Sequence, residues 1–531
     1  MSAPGNRGWD RETTLLAQIA ACVSILAFLY YLRQGQILLY GDAVAHINIA
    51  RRVFDSRTPG PLQLGTVWLP LPHLVTLPLL VSDWLWKTGI GGSIPSLFAY
   101  VIAAVGIFNL VRGSGPASMP ARTAAWIAAF IFIANPNLIY LQSTAMTEPL
   151  YLAFFIWSLV YFGAFVSGDQ KALPRCALCL LGASLTRYDG WFLAAAMIAL
   201  VLAVAVFRRS VPRKALVLSL AIAAAGPILW LAYNAAVYKN PLEFANGPYS
   251  ARAIEQRTSA PGSPPHPGAA DLPVAASFFL KSAELNVGES NWHRIWPLLA
   301  LVGCVLLLFV QRKRWPLLLL WLPLPFYTLS VAYSGVPIFL PPWWPFSLYN
   351  VRYGIELLPA FAVFCGFLVA VGLDRLRDTK AKLAVVALGL VLVSISYAFV
   401  WKAQPISFRE AWVNSRTRVA LETQLARNLV QLPKDATLLM YTGDHVGALQ
   451  QAGIPLRRVI NEGNHRTWVQ PYDPQGLWER ALQDPQSYAD FVVASEADQV
   501  ALKIRRDQLS AISVIHVSGQ PATTIYRVNR K

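Results

Sequence analysis

Residues 14–32 read TLLAQIAACVSILAFLYYL, nineteen positions without one Asp, Glu, Lys or Arg. A helix that crosses the hydrocarbon of a bilayer needs about 20 such residues. Comparable apolar runs recur at roughly 94–111, 123–141, 149–166, 175–187, 191–207, 215–237, 295–310, 316–334, 353–373 and 383–401, giving about eleven candidate spans, of which 175–187 is the weakest. This repetition sets the expected fold class, a polytopic α-helical membrane protein. Composition agrees. Hydrophobic residues make up 55% of the 531 and charged residues 14%, against about 25% charged in a soluble chain. That excludes a water-soluble enzyme throughout, and it excludes disorder, which needs low hydrophobicity and high charge. The 18 Trp, 20 Tyr and 25 Phe suit a protein with interfacial aromatics.

The net charge of +17 does not point to nucleic acid, because of where it sits. The first 401 residues hold 29 Lys+Arg and 16 Asp+Glu. Much of the surplus lies in short loops at Arg112–Arg122, Lys171–Arg175, Arg208–Lys214, Arg312–Arg314 and Arg375–Lys382. Basic short loops alternating with longer or charge-poor ones follow the positive-inside rule. The alternation requires that residues 67–86, VWLPLPHLVTLPLLVSDWLW, do not cross. Pro70, Pro72 and Pro78 break the helical ladder there and Asp83 adds a charge. This stretch reads as an interfacial or re-entrant helix on the outer side. The N-terminus is then cytoplasmic and the C-terminus outside, in a cell (inner) membrane, and the first apolar run reads as a signal anchor rather than a cleaved signal. All five cysteines fall in apolar segments, so no disulfide framework is implied, and the Cys176–Cys179 pair reads as helix packing.

Residues 402–531 differ from the rest, with 16 Lys+Arg, 12 Asp+Glu and no long apolar run. An amphipathic helix is expected at 408–431. Short β-rich runs follow at Thr437–Tyr441, Phe491–Ala494, Ser513–Val517 and Thr524–Val528, with helical stretches near 444–452 and 475–483. The expected organisation is a transmembrane domain over 1–401 and a small extracytoplasmic α/β domain over 402–531. The tract TSAPGSPPHPGAA at 258–270 is a Pro/Gly/Ser-rich loop, and Gly443-Asp444-His445 reads as a turn before a helix.

The first outer loop opens with Tyr40-Gly41-Asp42-Ala43-Val44-Ala45-His46, and Asp42 is the only acid between the first span and Asp55. Asp42 reads as a helix N-cap, for which Asp is favoured, or as a carboxylate presented at the membrane surface. His46, four residues on, can share its face. Further ionisable residues stand at the outer ends of spans: Glu148 in MTEPLY, Arg187 and Asp189 in LTRYDGW, Arg352 and Glu356 in NVRYGIELLP. Charges near hydrocarbon are paired or functional. Arg187–Asp189 and Arg352–Glu356 suit local ion pairs, while a guanidinium also matches phosphate through its planar fork. The topology puts all of these on the same side as Asp42. His73, in WLPLPHL, reads as a satisfied interfacial group or a pocket residue. The outer loop at 238–294 carries Tyr249, Lys281, Glu284 and Glu289. GxxxxGK[ST], HExxH and paired metal-type CxxC motifs are absent from the sequence.

On these residues the chain resembles GT-C-fold glycosyltransferases, among them the protein O-mannosyltransferases and the aminoarabinose transferases that modify lipid A. The likeness is carried by Gly41-Asp42 after the first span, Leu69-Pro70-Leu71-Pro72-His73, Thr147-Glu148-Pro149, Thr186-Arg187-Tyr188-Asp189-Gly190-Trp191, and Asn350-Val351-Arg352-Tyr353-Gly354 with Leu358-Pro359. It covers roughly 14–401. It implies a polyprenyl-phosphate-linked sugar donor, with membrane lipids around it, and an acid in the first outer loop acting as general base, by position Asp42. The acceptor is a glycan, lipid or protein that the resemblance does not name. Two departures stand out. Ala43 follows Asp42 where the family often has a second acid, and Leu71 separates Pro70 from Pro72. The chemistry implied is inverting transfer on the extracytoplasmic side, with one carboxylate taking the acceptor proton. The phosphate leaving group needs positive charge, for which Arg352, Arg187 and Lys281 are the candidates. His46, His73, Glu148, Asp189 and Tyr249 are candidate substrate-pocket residues. A divalent metal is compatible with this chemistry, but the single acid at Asp42 argues against a dedicated site, and the sequence assigns no certain cofactor. The competing reading is a transporter or lipid flippase of the envelope glycan pathway, which would place ionisable groups near mid-bilayer in broken helices. A non-catalytic membrane scaffold is the third.

Overall fold

The structure is a computed structural model and describes residues 10–113, 118–208, 211–258, 262, 264–443, 445–464, 475–496 and 498–529. Asp444 of the expected turn, and residues 259–261 and 263 of the Pro/Gly/Ser-rich loop, lie outside them. Among the described residues, eight helices are long and apolar enough to cross a membrane, and nine if the bent pair Met119–Ile133 and Pro136–Gln142 is one span. The shorter apolar helices Ala172–Thr186 and Ile295–Val310 bring the apolar segments to the eleven read from sequence. The protein is a polytopic α-helical membrane protein with a small C-terminal sheet.

The chain forms two compact units. The first comprises 1–36, 95–230 and 245–410. Its most buried candidate span runs through helix Leu358–Arg375, whose residues from Leu358 to Phe367 are all buried. Helix Ile295–Val310 approaches it at Gly303, where a Cβ would meet the Phe364 carbonyl oxygen. Bulkless positions of this kind let apolar helices pack backbone to backbone where no hydrophobic force between helices exists in lipid. Helix Met119–Ile133 bends by 62° into Pro136–Gln142. Asn135 sits at the break and its side chain accepts from Leu138 N at 2.9 Å, while Pro136 occupies the first position, where its missing N–H costs nothing.

Just before Leu358, residues Val351–Leu357 form a 3-10 helix entered through Asn350 in the left-handed region, φ 56°. This segment lies against helix Leu272–Val287 so closely that a Cβ on Gly354 would meet the backbone of Ser282 and Ala283. Gly354→Ala is therefore expected to destabilise the protein by about 1–3 kcal/mol, the usual cost of overpacking. Denaturant unfolding of the purified variant checks this, and an unchanged midpoint would show that the contact yields.

The second unit comprises 37–94, 231–244 and 411–531. The chain from 67 to 86 is divided among Leu71–Thr76, Leu79–Val81 and Asp83–Thr88, each too short to cross, with Pro70, Pro72 and Pro78 at or beside the starts of the first two. A five-stranded sheet is built from β1 (Leu438–Met440), β2 (Val459–Ile460), β3 (Phe491–Ser495), β4 (Leu509–Ile515) and β5 (Thr523–Val528). Its order is β2-β1-β3-β5-β4. β1 runs parallel to β2 and β3, and β5 is antiparallel to β3 and β4. Leu439, Ile460, Trp478, Leu482, Val492 and Val500 form its core. Sequence reading missed β2, which has only two residues, and set β4 too late. A bulge between Ala511 and Ser513 breaks the alternation that would have marked β4. This unit joins the 37–94 segment to residues 411–531, a grouping that division of the chain at 401/402 does not anticipate.

Candidate functional site

In the first unit the charged residues at helix starts come together. Glu148 opens helix Glu148–Val166, Asp189 opens helix Asp189–Arg208, and Arg352 and Glu356 lie on the 3-10 segment before Leu358–Arg375. A helix N-terminus is a favourable place for an acid, because the backbone dipole is positive there. Arg187, in extended backbone between two helices, reaches Glu148 at 3.2 Å, Asp189 at 3.2 Å and Glu356 at 3.1 Å. Its Nη2 donates to the Tyr327 hydroxyl at 2.7 Å, and its Nη1 to Thr147 Oγ1 at 2.9 Å. Tyr327 also lies 2.8 Å from Glu356 Oε1 and 3.1 Å from Asp189 Oδ2. Arg352 bonds Glu148 at 3.1 Å and Glu410 at 2.8 Å, and Glu410 further accepts the backbone N–H groups of Asn350 and Arg352. Both guanidinium groups lie over the Tyr353 ring.

The Arg187–Asp189 pair expected from sequence is present. The i,i+4 pair Arg352–Glu356 is not formed, because three residues per turn rather than 3.6 carry the two side chains apart. Arg352 turns to Glu148 and Glu410, and Glu356 to Arg187 and Tyr327. Glu410 and Tyr327 were not singled out from sequence. Tyr327 reads as one more aromatic on an apolar helix, and Glu410 as the polar face of an amphipathic one. Four buried carboxylates thus face two arginines. Glu148 Oε2 and Glu356 Oε2 are buried and lack a partner. Breaking such a network is costly, since each charge removed leaves another uncompensated in a dry environment.

Lys281, on helix Leu272–Val287, belongs to a separate group. Its Nζ lies 3.1 Å from Glu284 and hydrogen-bonds His293 Nε2. His293 lies outside the spans, and burial first and the Lys281 charge second hold its pKa below the usual histidine value. Arg257 lies 6.0 Å from the ring centroid of Tyr249.

Asp42, His46 and His73 belong to the second unit. Asp42 is not the cap. Helix Gly41–Arg52 is preceded by Tyr40, whose side chain makes no capping bond, and Asp42 is the second helical residue, half-buried in the first turn. His46, one turn on, is buried. Its Nδ1 lies 2.9 Å from His73 Nε2, and its ring centroid is 4.9 Å from that of Trp68. His73 is wholly buried, with Nδ1 lacking a partner, so it is not the satisfied interfacial group of one sequence reading. Among the described residues no group of three or more His, Cys, Asp or Glu is arranged to hold a metal ion.

With this geometry in hand, the solved structures supply the comparison. The structure of ArnT from Cupriavidus metallidurans bound to undecaprenyl phosphate matches with a TM-score of 0.57 over 96% of this chain and 97% of that one. The chain has the GT-C fold. Sequence identity to ArnT is 14%, so the likeness is one of fold. The apo form of the same ArnT matches with a TM-score of 0.55 over the same shares and at the same identity. An Archaeoglobus fulgidus oligosaccharyltransferase complexed with zinc and sulfate aligns at 0.48 and 12% identity, covering 97% of this chain and 73% of that one, too loosely to argue from. No family model matches the sequence, and no curated protein does.

Proposed function

We propose that the protein is a membrane glycosyltransferase that moves a sugar from a polyprenyl-phosphate donor to a glycan, lipid or protein acceptor on the extracytoplasmic side, with inversion. The observation that carries this is the GT-C fold shared with ArnT, whose structure holds undecaprenyl phosphate. Asp42 is the general base. It stands in the first turn of Gly41–Arg52, near the positive end of that helix. The leaving phosphate is met by positive charge from Lys281, Arg187 and Arg352. His46, His73, Glu148, Asp189 and Tyr249 shape or support the pocket, and the N-terminus is cytoplasmic with residues 402–531 outside. Proteoliposomes given defined polyprenyl-phosphate sugars and candidate acceptors should show sugar transfer. Movement of the lipid between leaflets without transfer would support the flippase reading instead.

A further inference from the structure

We propose that the C-terminal region is a positioning device for Asp42, gripping the chain on both sides of it. The inference rests on the reading of Asp42 as the base. All the contacts lie inside the second unit, and they fall at three points along residues 38–55.

Before Asp42, Arg418 on helix Ile406–Leu429 donates from Nη2 to the carbonyl oxygens of Leu38 at 3.2 Å and Leu39 at 2.8 Å, while its Nη1 is held by Glu422 at 2.7 Å. After Asp42, Asn48 donates from Nδ2 to Gln450 Oε1 at 2.7 Å and to Val44 O at 2.8 Å, and its Oδ1 accepts from Trp86 Nε1 at 3.0 Å. Gln450 closes the ring by donating to the Trp86 carbonyl at 2.8 Å. Every polar atom of both amides is used, and both side chains are buried. Past the helix end, Asp55 accepts from Arg51 at 2.8 Å, from the backbone N–H groups of Leu456 and Arg457 at 3.3 and 3.2 Å, and from Arg457 Nη1 at 3.1 Å.

One polar grip on this short helix and one on the chain at either end fix its rotation and its height, because satisfied buried polar groups specify a single arrangement where apolar contact tolerates several. A base must stand within hydrogen-bond reach of the hydroxyl it deprotonates. A displacement near 1 Å costs on the order of 10²-fold in rate. Arg418, Gln450 and Asp55 are thus positioning residues, and the C-terminal region serves catalysis without touching the sugar.

The test uses the full-length protein in proteoliposomes. Arg418→Ala should lower kcat about ten- to a hundredfold and leave the donor KM within about twofold, because binding is not what it alters. Arg418→Lys, which keeps one donor for the carbonyls, should recover part of the rate. Hydrogen exchange of the peptide covering 37–55 should quicken in Arg418→Ala and in Gln450→Ala. Unchanged exchange there in both variants overturns the clamp, whether or not Asp42 is the base. Quickened exchange with unchanged kcat, in a protein that Asp42→Asn inactivates, overturns the positioning role alone. Full activity of Asp42→Asn would remove the base reading, and the proposal with it, whatever the exchange shows of the clamp.

Discussion

Replacement of Asp42 by Asn is expected to slow sugar transfer by about 10²–10⁴-fold, the range that general-base assistance supplies. The protein should remain folded. Asp42 does not cap its helix, and its charge in the first turn contributes about 0.3–1 kcal/mol through the helix N-terminus. The amide is isosteric and keeps an acceptor oxygen, but it cannot take a proton from the acceptor hydroxyl. The measurement is single-turnover transfer by wild type and variant at equal amounts of folded protein, checked by thermal unfolding. A rate within a fewfold of wild type would sink the assignment, and the search for a base would move to the other acids of the molecule.

The second large effect is expected at Arg187. Its guanidinium compensates Glu148, Asp189 and Glu356, all buried. Arg187→Ala leaves those carboxylates facing one another with only Arg352 beside Glu148, and removing one partner of a buried ion pair costs about 3–5 kcal/mol. The loss should appear as a lower unfolding midpoint in detergent, larger than that of any surface substitution. Adding Glu356→Gln should recover part of it, since the second change removes one of the stranded charges. Arg187→Lys should fall short of wild type, because an ammonium cannot address three carboxylates and Tyr327 in one plane. Single and double variants with equal midpoints would mean that the cluster is not held by charge. A fall in activity that tracks the fall in stability would assign Arg187 to architecture. Weaker donor use in a variant with a normal midpoint would assign it to the phosphate.

Sequence alone determined the membrane class, the placement of the apolar segments, the non-crossing 67–86 stretch and the existence of a C-terminal α/β region. These follow from hydrophobicity and periodicity, which neighbours along the chain decide within one or two helical turns. The position of charged residues at helix starts was legible for the same reason. Their partners were not. Helices apolar all round show no preferred face, so nothing local said that Arg352 would meet Glu148, 204 residues away, and Glu410 rather than Glu356. The 3-10 winding of Val351–Leu357 decided that exchange. Likewise His46 meets His73 across 27 residues through the fold of three short helical turns, and Asp42 gives up the capping position because the chain enters its helix at Tyr40. Tertiary packing brought Arg418, Gln450 and Arg457 onto residues 38–55. Hydrogen bonds between groups some 400 residues apart depend on how whole elements pack, and no window of sequence contains that information.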